Sequence, residues 1–208
     1  MPSSRNHWDQ VYQSKPFDAV SWYAPHLSES LRLIERLCPE RTAAIVDIGG
    51  GESTLVDDLL ARGYRNLTVL DISPKAIEFT RQRLGHRAAA VDWRVGDVTE
   101  HDFGGRRFDL WHDRAVFHFL TDEAARRRYV DLVQRCVNPG GHVVMATFGP
   151  QGPLKCSGLD VVRYDEQQLH GQFGDQFQLM GSRISEHPTP MGTRQQFLYC
   201  WCKRKDSA

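Results

Sequence analysis

The sequence lacks the features that mark membrane-spanning, secreted and nucleic-acid-binding proteins. No stretch of its 208 residues approaches the ~20 consecutive apolar residues that a membrane-spanning helix needs. Its 26 Lys and Arg residues balance its 26 Asp and Glu residues, so it has no basic excess for binding nucleic acid or anionic lipid. Residues 1–12 contain no apolar run of the kind found in secretory signals. We therefore expect a cytoplasmic protein with neither a nucleic-acid nor a membrane partner.

Cysteine is sparse, and its spacing excludes two further classes of protein. The five cysteines include no Cys-x-x-Cys pair, so they form neither a disulfide framework nor a zinc knuckle. Cys200 and Cys202 share one face of a predicted strand beside Tyr199 and Trp201, which favours a place in the core. The sequence therefore predicts reduced thiols and no metal site.

The length of the chain favours one domain, because a domain usually takes roughly 100–200 residues. We expect a single domain over residues 1–208, with an N-terminal arm and helix over 1–40 and an α/β core over 41–208. The arm is rich in aromatic residues, which are Trp8, Tyr12, Phe17, Trp22 and Tyr23. Helical spacing follows over Ser28–Leu37. Because aromatic faces attract cations and shed water, we expect the arm to pack on the domain and close over its ligand.

Short apolar runs alternate with helical segments in the middle of the chain. Strands are predicted at 43–48, 67–70, 91–95, 108–112 and 142–147, with helices at 54–60, from 73 and at 122–136. Parallel strands need helical crossovers, so this alternation predicts a doubly wound parallel sheet. Two further strand-like runs, 177–184 and 196–203, have no helix between them and predict an antiparallel hairpin that closes the sheet.

Acidic residues lie at the ends of the first three predicted strands, at the edge where such sheets bind ligands. Asp47 precedes Gly49, Gly50 and Gly51, which permit a tight turn and close approach of a ligand. Asp71 is placed to accept the hydroxyls of a ribose. Asp97 is placed to accept an amino proton from a purine.

Three short motifs in this order resemble those of the class I S-adenosylmethionine-dependent methyltransferases. They are Val46–Gly51, Leu70–Ser73 and Gly96–Val98, and Asn138–His142 is similar to the turn before the fifth strand of that family. The resemblance implies a Rossmann-like, doubly wound, seven-stranded sheet with its last strand antiparallel. It also implies S-adenosylmethionine as cofactor and S-adenosylhomocysteine as product.

The resemblance assigns a role to each motif. Gly49, Gly50 and Gly51 would lie against the methionine portion of the cofactor, with Asp47 near its amino group. Asp71 and Ile72 would hold the ribose, and Asp97 and Val98 would flank the adenine. His112 is a further candidate, because it ends the fourth predicted strand. Ser53 departs from the family, which often has a third glycine there, and puts only the tightness of the turn in doubt.

An NAD-binding fold shares the strand, the glycine-rich turn and the distant acid. Its Gly-x-Gly-x-x-Gly fingerprint would require glycine at Thr54 or Leu55, and neither position has it. Asp47 would also bring a negative charge near a pyrophosphate, whereas it suits a cationic sulfonium with a free amine. The methyltransferase interpretation is therefore favoured.

The methyl acceptor is less clearly encoded. Methyl transfer from a sulfonium needs alignment and exclusion of water more than acid–base chemistry. Asp113, Arg114 and His118 are the candidate catalytic residues. Asp113-Arg114 resembles a pair in thiopurine-type and related small-molecule thiol methyltransferases. An Asp-Lys-Gly element, frequent in lysine methyltransferases of translation factors, is absent. We expect a small-molecule acceptor such as a thiol, with a protein lysine methyltransferase and a non-catalytic S-adenosylmethionine-binding protein as alternatives.

Four side chains near the acceptor have two interpretations each. His118 is either a general base or a hydrogen-bonded core residue, because Phe117 and Phe119 flank it. Arg114 and Arg163 either bind an anionic acceptor or form ordinary surface contacts. Cys156 lies in a loop where lids form, and we expect an unreactive thiol.

Overall fold

The computed structural model describes residues 5–206, so residues 1–4 of the predicted arm and the last two residues of the predicted domain lie outside it. The strands are β1 (Ala44–Ile48), β2 (Asn66–Asp71), β3 (Val91–Val95), β4 (Phe108–Arg114), β5 (Val137–Phe148), β6 (Lys155–Cys156), β7 (Leu159–Asp160), β8 (Phe177–Pro188) and β9 (Arg194–Arg204). The helices are α1 (Arg5–Ser14), α2 (Ser28–Leu37), α3 (Leu55–Ala61), α4 (Pro74–Leu84), α5 (Glu123–Cys136) and α6 (Glu166–Gly171). Short 3-10 turns lie at Phe17–Ala19, Gly85–Ala90, Phe117–Phe119 and Gly174–Gln176. Within the described residues, no helix is long and apolar enough to cross a membrane.

Seven of the strands form one sheet, in the order β3-β2-β1-β4-β5-β9-β8. The first five strands are parallel, and β9 runs antiparallel to both β5 and β8. The prediction of a seven-stranded sheet with its last strand antiparallel is confirmed. The strand order reverses between β1 and β4, and open sheets of this kind bind ligands at such a point, beyond the carboxyl ends of the strands.

Burial of both faces explains why the central strands are so apolar. All five residues of β1 are buried, because helices cover the sheet on each side. On one side, Leu33 of α2, Leu55 of α3 and Ile77 of α4 pack in one apolar layer. On the other side, Tyr129 and Val133 of α5 pack in a second layer. Each fully buried side chain of this size contributes about 1.5–3 kcal/mol to stability.

The structure differs from the predicted elements mainly after β5. The β6–β7 hairpin and α6 were not predicted, because two-residue strands and a six-residue helix show no apolar period. Helix α6 is held instead by a capping box between Asp165 and Gln168. Strand β5 begins at Val137, five residues before its predicted start at His142, and its pairing with β4 is irregular between Phe108 and Leu110.

Candidate active site

The glycine turn after β1 packs too closely for side chains. Gly49 has a φ of +69°, and a Cβ there would lie 2.1 Å from Cγ2 of Val116. A Cβ on Gly51 would lie 2.6 Å from Oδ2 of Asp71 and 2.5 Å from Cβ of Ala76. The turn therefore needs glycine at both positions, for conformation at the first and for space at both.

Asp71 connects the end of β2 to this turn. Its Oδ2 accepts a hydrogen bond from the Gly51 N–H at 3.0 Å, and its Oδ1 accepts one from the Ser73 N–H at 2.8 Å. Burial raises the pKa of Asp71 to about 6, although these two backbone bonds act in the opposite direction. The carboxylate is thus fixed in place at the edge of the sheet.

A buried polar chain orients Asp47. The His112 ring donates from Nδ1 to Oδ1 of Asp47 at 2.7 Å, and its Nε2 lies 2.9 Å from Oγ of Ser30. The other oxygen, Oδ2 of Asp47, is buried and has no hydrogen-bond partner among the described residues. His112 therefore lies behind Asp47 and holds its free oxygen toward the glycine turn.

Glu52 is a further acid at the site that the sequence analysis did not assign. Its Oε2 is buried and also has no hydrogen-bond partner within residues 5–206. Burial, with the nearby charge of Asp71, raises the pKa of Glu52 to about 7. Its position directly after the three glycines was the available signal. Together with Asp47 and Asp71, it makes this end of the site suitable for a cationic ligand.

The ends of β2 and β3 are joined at the far side of the site. The Gly96 N–H donates to the carbonyl of Asp71 at 2.9 Å. Oδ1 of Asp97 accepts hydrogen bonds from the N–H and the hydroxyl of Thr99, both at 2.8 Å. Val98 is buried beside them. This arrangement fixes the short segment that was predicted to flank an adenine.

Two adjoining clefts collect most of the predicted cofactor residues. The first cleft, of ≈ 780 Å³, is lined by Gly49, Asp71, Ile72, Asp97 and Val98. The second cleft is lined by Asp47, Gly49, Gly50, Glu52 and His112. Gly51 lies just behind both, against Asp71. The elongated space runs from a polar, acidic end to an end flanked by Val98.

Four aromatic side chains, Trp8, Tyr12, Trp22 and Phe119, form an aromatic roof over the first cleft. The ring of Trp8 lies edge-on to Phe119 at 5.1 Å and to Trp22 at 6.0 Å. Tyr12 lies edge-on to Trp22 at 6.4 Å. In the middle of α1, Asp9 Oδ1 accepts a 2.5 Å hydrogen bond from Ser73 Oγ, which fixes the helix to the end of β2. The arm thus encloses the cleft.

Two groups that line the first cleft hold their protons at neutral pH. Burial, together with the charges of Asp71 and Glu52, raises the pKa of Tyr12 well above its usual value. Burial raises the pKa of Cys156 to about 11. Since only a thiolate is a strong nucleophile, Cys156 is an unreactive wall of the cleft.

Asp113 and His118 lie behind the clefts rather than on their walls. Asp113 accepts hydrogen bonds from the hydroxyl of Tyr129 at 2.6 Å and from the N–H of Val116 at 2.9 Å. Nδ1 of His118 accepts a hydrogen bond from the Phe148 N–H at 3.3 Å, and burial lowers the pKa of His118 to about 3. A neutral, fully buried imidazole at this place supports the segment after β4.

The two predicted arginines have different surroundings. Arg114 lines both clefts, and its Nη1 donates to the carbonyl of Trp22 at 3.0 Å. Arg163 lines neither cleft and donates to the carbonyl of Gly152 at 3.3 Å, so it ties its own loop together. In the described part of the chain, no group of three or more His, Cys, Asp or Glu residues is arranged to hold a metal ion.

Known proteins share this architecture. A family profile described as a methyltransferase domain matches residues 45–141. The eEF1A lysine and N-terminal methyltransferase of Danio rerio is 25% identical over 177 residues, which make up 84% of this chain but only 25% of that protein. This chain therefore spans about a quarter of that relative's length. EEF1A lysine methyltransferase 4 of Mus musculus is 32% identical over 188 residues, which cover 82% of this chain and 71% of that protein.

A solved structure shows the same fold with ligands bound. It is the Burkholderia thailandensis 1,6-didemethyltoxoflavin-N1-methyltransferase with 1,6-didemethyltoxoflavin and S-adenosylhomocysteine. The TM-score is 0.69 at 21% identity, over 99% of this chain and 85% of that chain. The family and cofactor expected from the three motifs are confirmed. This chain belongs to the class I S-adenosylmethionine-dependent methyltransferases, and S-adenosylmethionine is its cofactor.

Proposed function

We propose that this methyltransferase acts on a small-molecule acceptor bound beneath the aromatic roof. The roof carries the proposal, because Trp8 contacts both Trp22 and Phe119 along the wall of the first cleft. A small molecule fits under such a cover, whereas a lysine on a folded protein requires the arm to move away. Methyl transfer requires that water be excluded from the reacting groups, and the roof provides such a cover.

The cofactor-binding residues take the roles that their geometry supports. Gly49 and Gly50 would lie along the methionine portion, and the free oxygen of Asp47 would accept a hydrogen bond from its ammonium group. Asp71 would accept hydrogen bonds from the ribose hydroxyls, with Ile72 beside it, and Asp97 and Val98 would flank the adenine. When bound, S-adenosylmethionine supplies an activated methyl group on a sulfonium. The acidic end of the site fits that ligand, because the buried oxygens of Asp47 and Glu52 have no partner within residues 5–206.

The predicted catalytic residues are assigned positioning roles, except for Arg114. Asp113 holds the backbone N–H of Val116 and so places the turn that faces the glycines. His118 supports the same segment from behind. Arg114 faces the clefts and is the one of the three able to touch an acceptor.

The acceptor side offers no general base within the described residues. Cys156 and Tyr12 retain their protons, and the neutral His118 lies outside the cleft. The acceptor atom must therefore be nucleophilic without help from the protein. A thiolate meets this condition, because a free thiol with a pKa near 8.5 ionises appreciably in water before it binds.

A protein lysine substrate is the second candidate. It is favoured by the 32% identity to EEF1A lysine methyltransferase 4, whose name states a protein lysine as its substrate. Opening of α1 away from Ser73 and Phe119 would expose the cleft to such a substrate.

One labelling experiment separates these functions. The protein is incubated with methyl-labelled S-adenosylmethionine and either the small-molecule fraction or the protein fraction of a cell extract. We expect label in small molecules, and none with an Asp71→Asn control. Label in a protein band would favour the lysine enzyme, and S-adenosylmethionine binding without any transfer would indicate a non-catalytic binding protein.

A further inference from the structure

A third cavity adjoins the second cleft, with which it shares Tyr23, Ala24, Leu27 and Arg114. It has a volume of ≈ 720 Å³ and is lined by the segment 23–29, the end of β8 and part of β9. Phe197, Tyr199 and Leu27 give it apolar walls. Arg114 lines this cavity and both clefts.

Arg114 has no counter-ion among residues 5–206. None of the ion pairs within residues 5–206 includes Arg114. Its Nη1 donates to the uncharged carbonyl of Trp22, and its Nε is buried with no hydrogen-bond partner in the same range. A partly buried guanidinium without a counter-ion is costly, so this position favours an anionic ligand.

One face of the guanidinium lies over a wall of the third cavity. Its central carbon is 4.5 Å from the ring centroid of Phe197, which lines the third cavity and neither cleft. Burial, and then the charge of Arg114, lowers the pKa of His187 in the same cavity to about 4. His187 is thus neutral at pH 7 and leaves Arg114 as the charged group at the inner end.

The acids at the rim do not supply the missing counter-ion. Glu29 pairs with Arg32 at 2.5 Å and with Arg183 at 3.6 Å, so its charge is already balanced. Glu186 is exposed and forms no ion pair in the described structure. His26 also lines the cavity, but its Nδ1 pairs with Asp58, which does not line it. An anion entering the cavity therefore meets an unpaired cation at its inner end.

We propose that the third cavity is an acceptor subsite in which Arg114 binds a carboxylate of the methyl acceptor. The planar fork of a guanidinium matches a carboxylate, and Phe197 holds the guanidinium plane in place. This inference rests on the proposed methyl transfer to a small molecule, and it specifies that the small molecule carries a carboxylate. The cofactor also carries a carboxylate, but the stacking on Phe197 places the charge on the acceptor's side.

A matched pair of probes tests the charge requirement. Benzoate and benzamide have similar shapes, and their binding to protein saturated with S-adenosylhomocysteine is followed by tryptophan fluorescence, since Trp22 contacts Arg114. We expect wild-type protein to bind benzoate at least ~10-fold more tightly than benzamide. Arg114→Met should abolish that preference, and Arg114→Lys should retain part of it. Arg163→Met, which removes an arginine that lines none of the three spaces, should leave it unchanged.

A second titration identifies which carboxylate Arg114 binds. S-adenosylhomocysteine is titrated into the wild type and the Arg114 variants, and its dissociation constant should change less than ~3-fold. Equal binding of benzoate and benzamide by the wild type would overturn the proposal. So would a loss of S-adenosylhomocysteine binding in Arg114→Met as large as the loss of benzoate binding. If benzoate preference is found but no acceptor is ever methylated, the proposed function fails while the anion site stands.

Discussion

The two halves of the site differ in the charge and polarity of their side chains. The cofactor half comprises the ends of β1, β2 and β3, and it carries three buried acids, Asp47, Glu52 and Asp71. The acceptor half comprises the turn after β4, the aromatic roof and the third cavity, and its charged group at the clefts is Arg114. The acidic half suits a ligand that carries a sulfonium and an ammonium group. The apolar half, with the guanidinium of Arg114, suits an anionic acceptor that is shielded from water. The contrast supports the proposal that a cationic cofactor and an anionic acceptor bind side by side.

The halves also differ in how the chain assembles them. Hydrogen bonds of the cofactor half run between neighbouring strand ends, such as Gly51 to Asp71 and Gly96 to Asp71. The acceptor half instead brings together remote segments, as in the contact of Trp8 with Phe119. The halves meet at Gly49 and Val116. Substitutions that act on one half, or on this contact, test the division.

The largest effect is expected from Asp71→Asn. An amide has one acceptor oxygen, so it cannot accept hydrogen bonds from both backbone N–H groups and from the ribose hydroxyls as a carboxylate can. Hydrogen bonds to charged groups contribute about 1.5–3 kcal/mol each. The dissociation constant for S-adenosylmethionine should rise roughly 100-fold or more, measured by calorimetry. Asp175→Asn, on an exposed turn, is the matched control. Unchanged affinity in Asp71→Asn would contradict the role of Asp71.

The next largest effect is expected from Gly49→Ala, which acts at the contact between the halves. A left-handed φ costs about 1 kcal/mol or more for a residue with a side chain, and overpacking against Val116 adds about 1–3 kcal/mol. Thermal unfolding should shift down by roughly 5–10 °C. Gly63→Ala is the control, because its φ is +86° but nothing lies within 4 Å of its Cβ. Val116→Ala should recover part of the loss, and no recovery would mean that the halves do not meet there.

A smaller effect is expected from pH, which should change the affinity for S-adenosylmethionine in a defined direction. Burial raises the pKa of Asp71 to about 6 and of Glu52 to about 7. A cation binds best to the ionised acids, so affinity for S-adenosylmethionine should rise about 10-fold from pH 5.5 to 8. Calorimetry in buffers of different ionisation enthalpy should detect proton release on binding. Glu52→Gln should flatten the profile above pH 6, and a flat wild-type profile would refute the assignment.

The same two acids predict the opposite trend for the protein without cofactor. Their folded-state pKa values lie above the ordinary values of 3.8 and 4.5, so the folded state holds more protons in this range. Their contribution to the free energy of unfolding is therefore greatest at low pH and is lost as pH rises from about 4 to 7. Chemical denaturation across this range measures it, with Asp71→Asn as the variant that removes one of the groups.

The smallest effect is expected at the base of the roof. Asp9→Ala removes the hydrogen bond from Ser73 but leaves the aromatic contacts in place. Affinity for S-adenosylmethionine should fall about 3-fold, since one partly buried hydrogen bond contributes about 1 kcal/mol. Asp18→Ala, an exposed position on the same arm, is the control. Equal behaviour of the two variants would mean that the closed arm does not depend on this bond.

The same division explains what the sequence could predict. Asp71, Asp97 and the glycine turn follow their strands directly, so local motifs were enough to place them together. The contact of Trp8 with Phe119 depends on the tertiary fold, and nothing local encodes it. The pattern left His118 with two interpretations, and the structure shows a buried, neutral ring because neighbouring elements cover it.

A crystal structure with S-adenosylhomocysteine bound tests the division of the site most directly. We expect the ribose hydroxyls on Asp71, the amino group beside Asp47, and the Arg114 guanidinium still stacked on Phe197 in the third cavity. A cofactor carboxylate bound by Arg114, or a ribose away from Asp71, would contradict it.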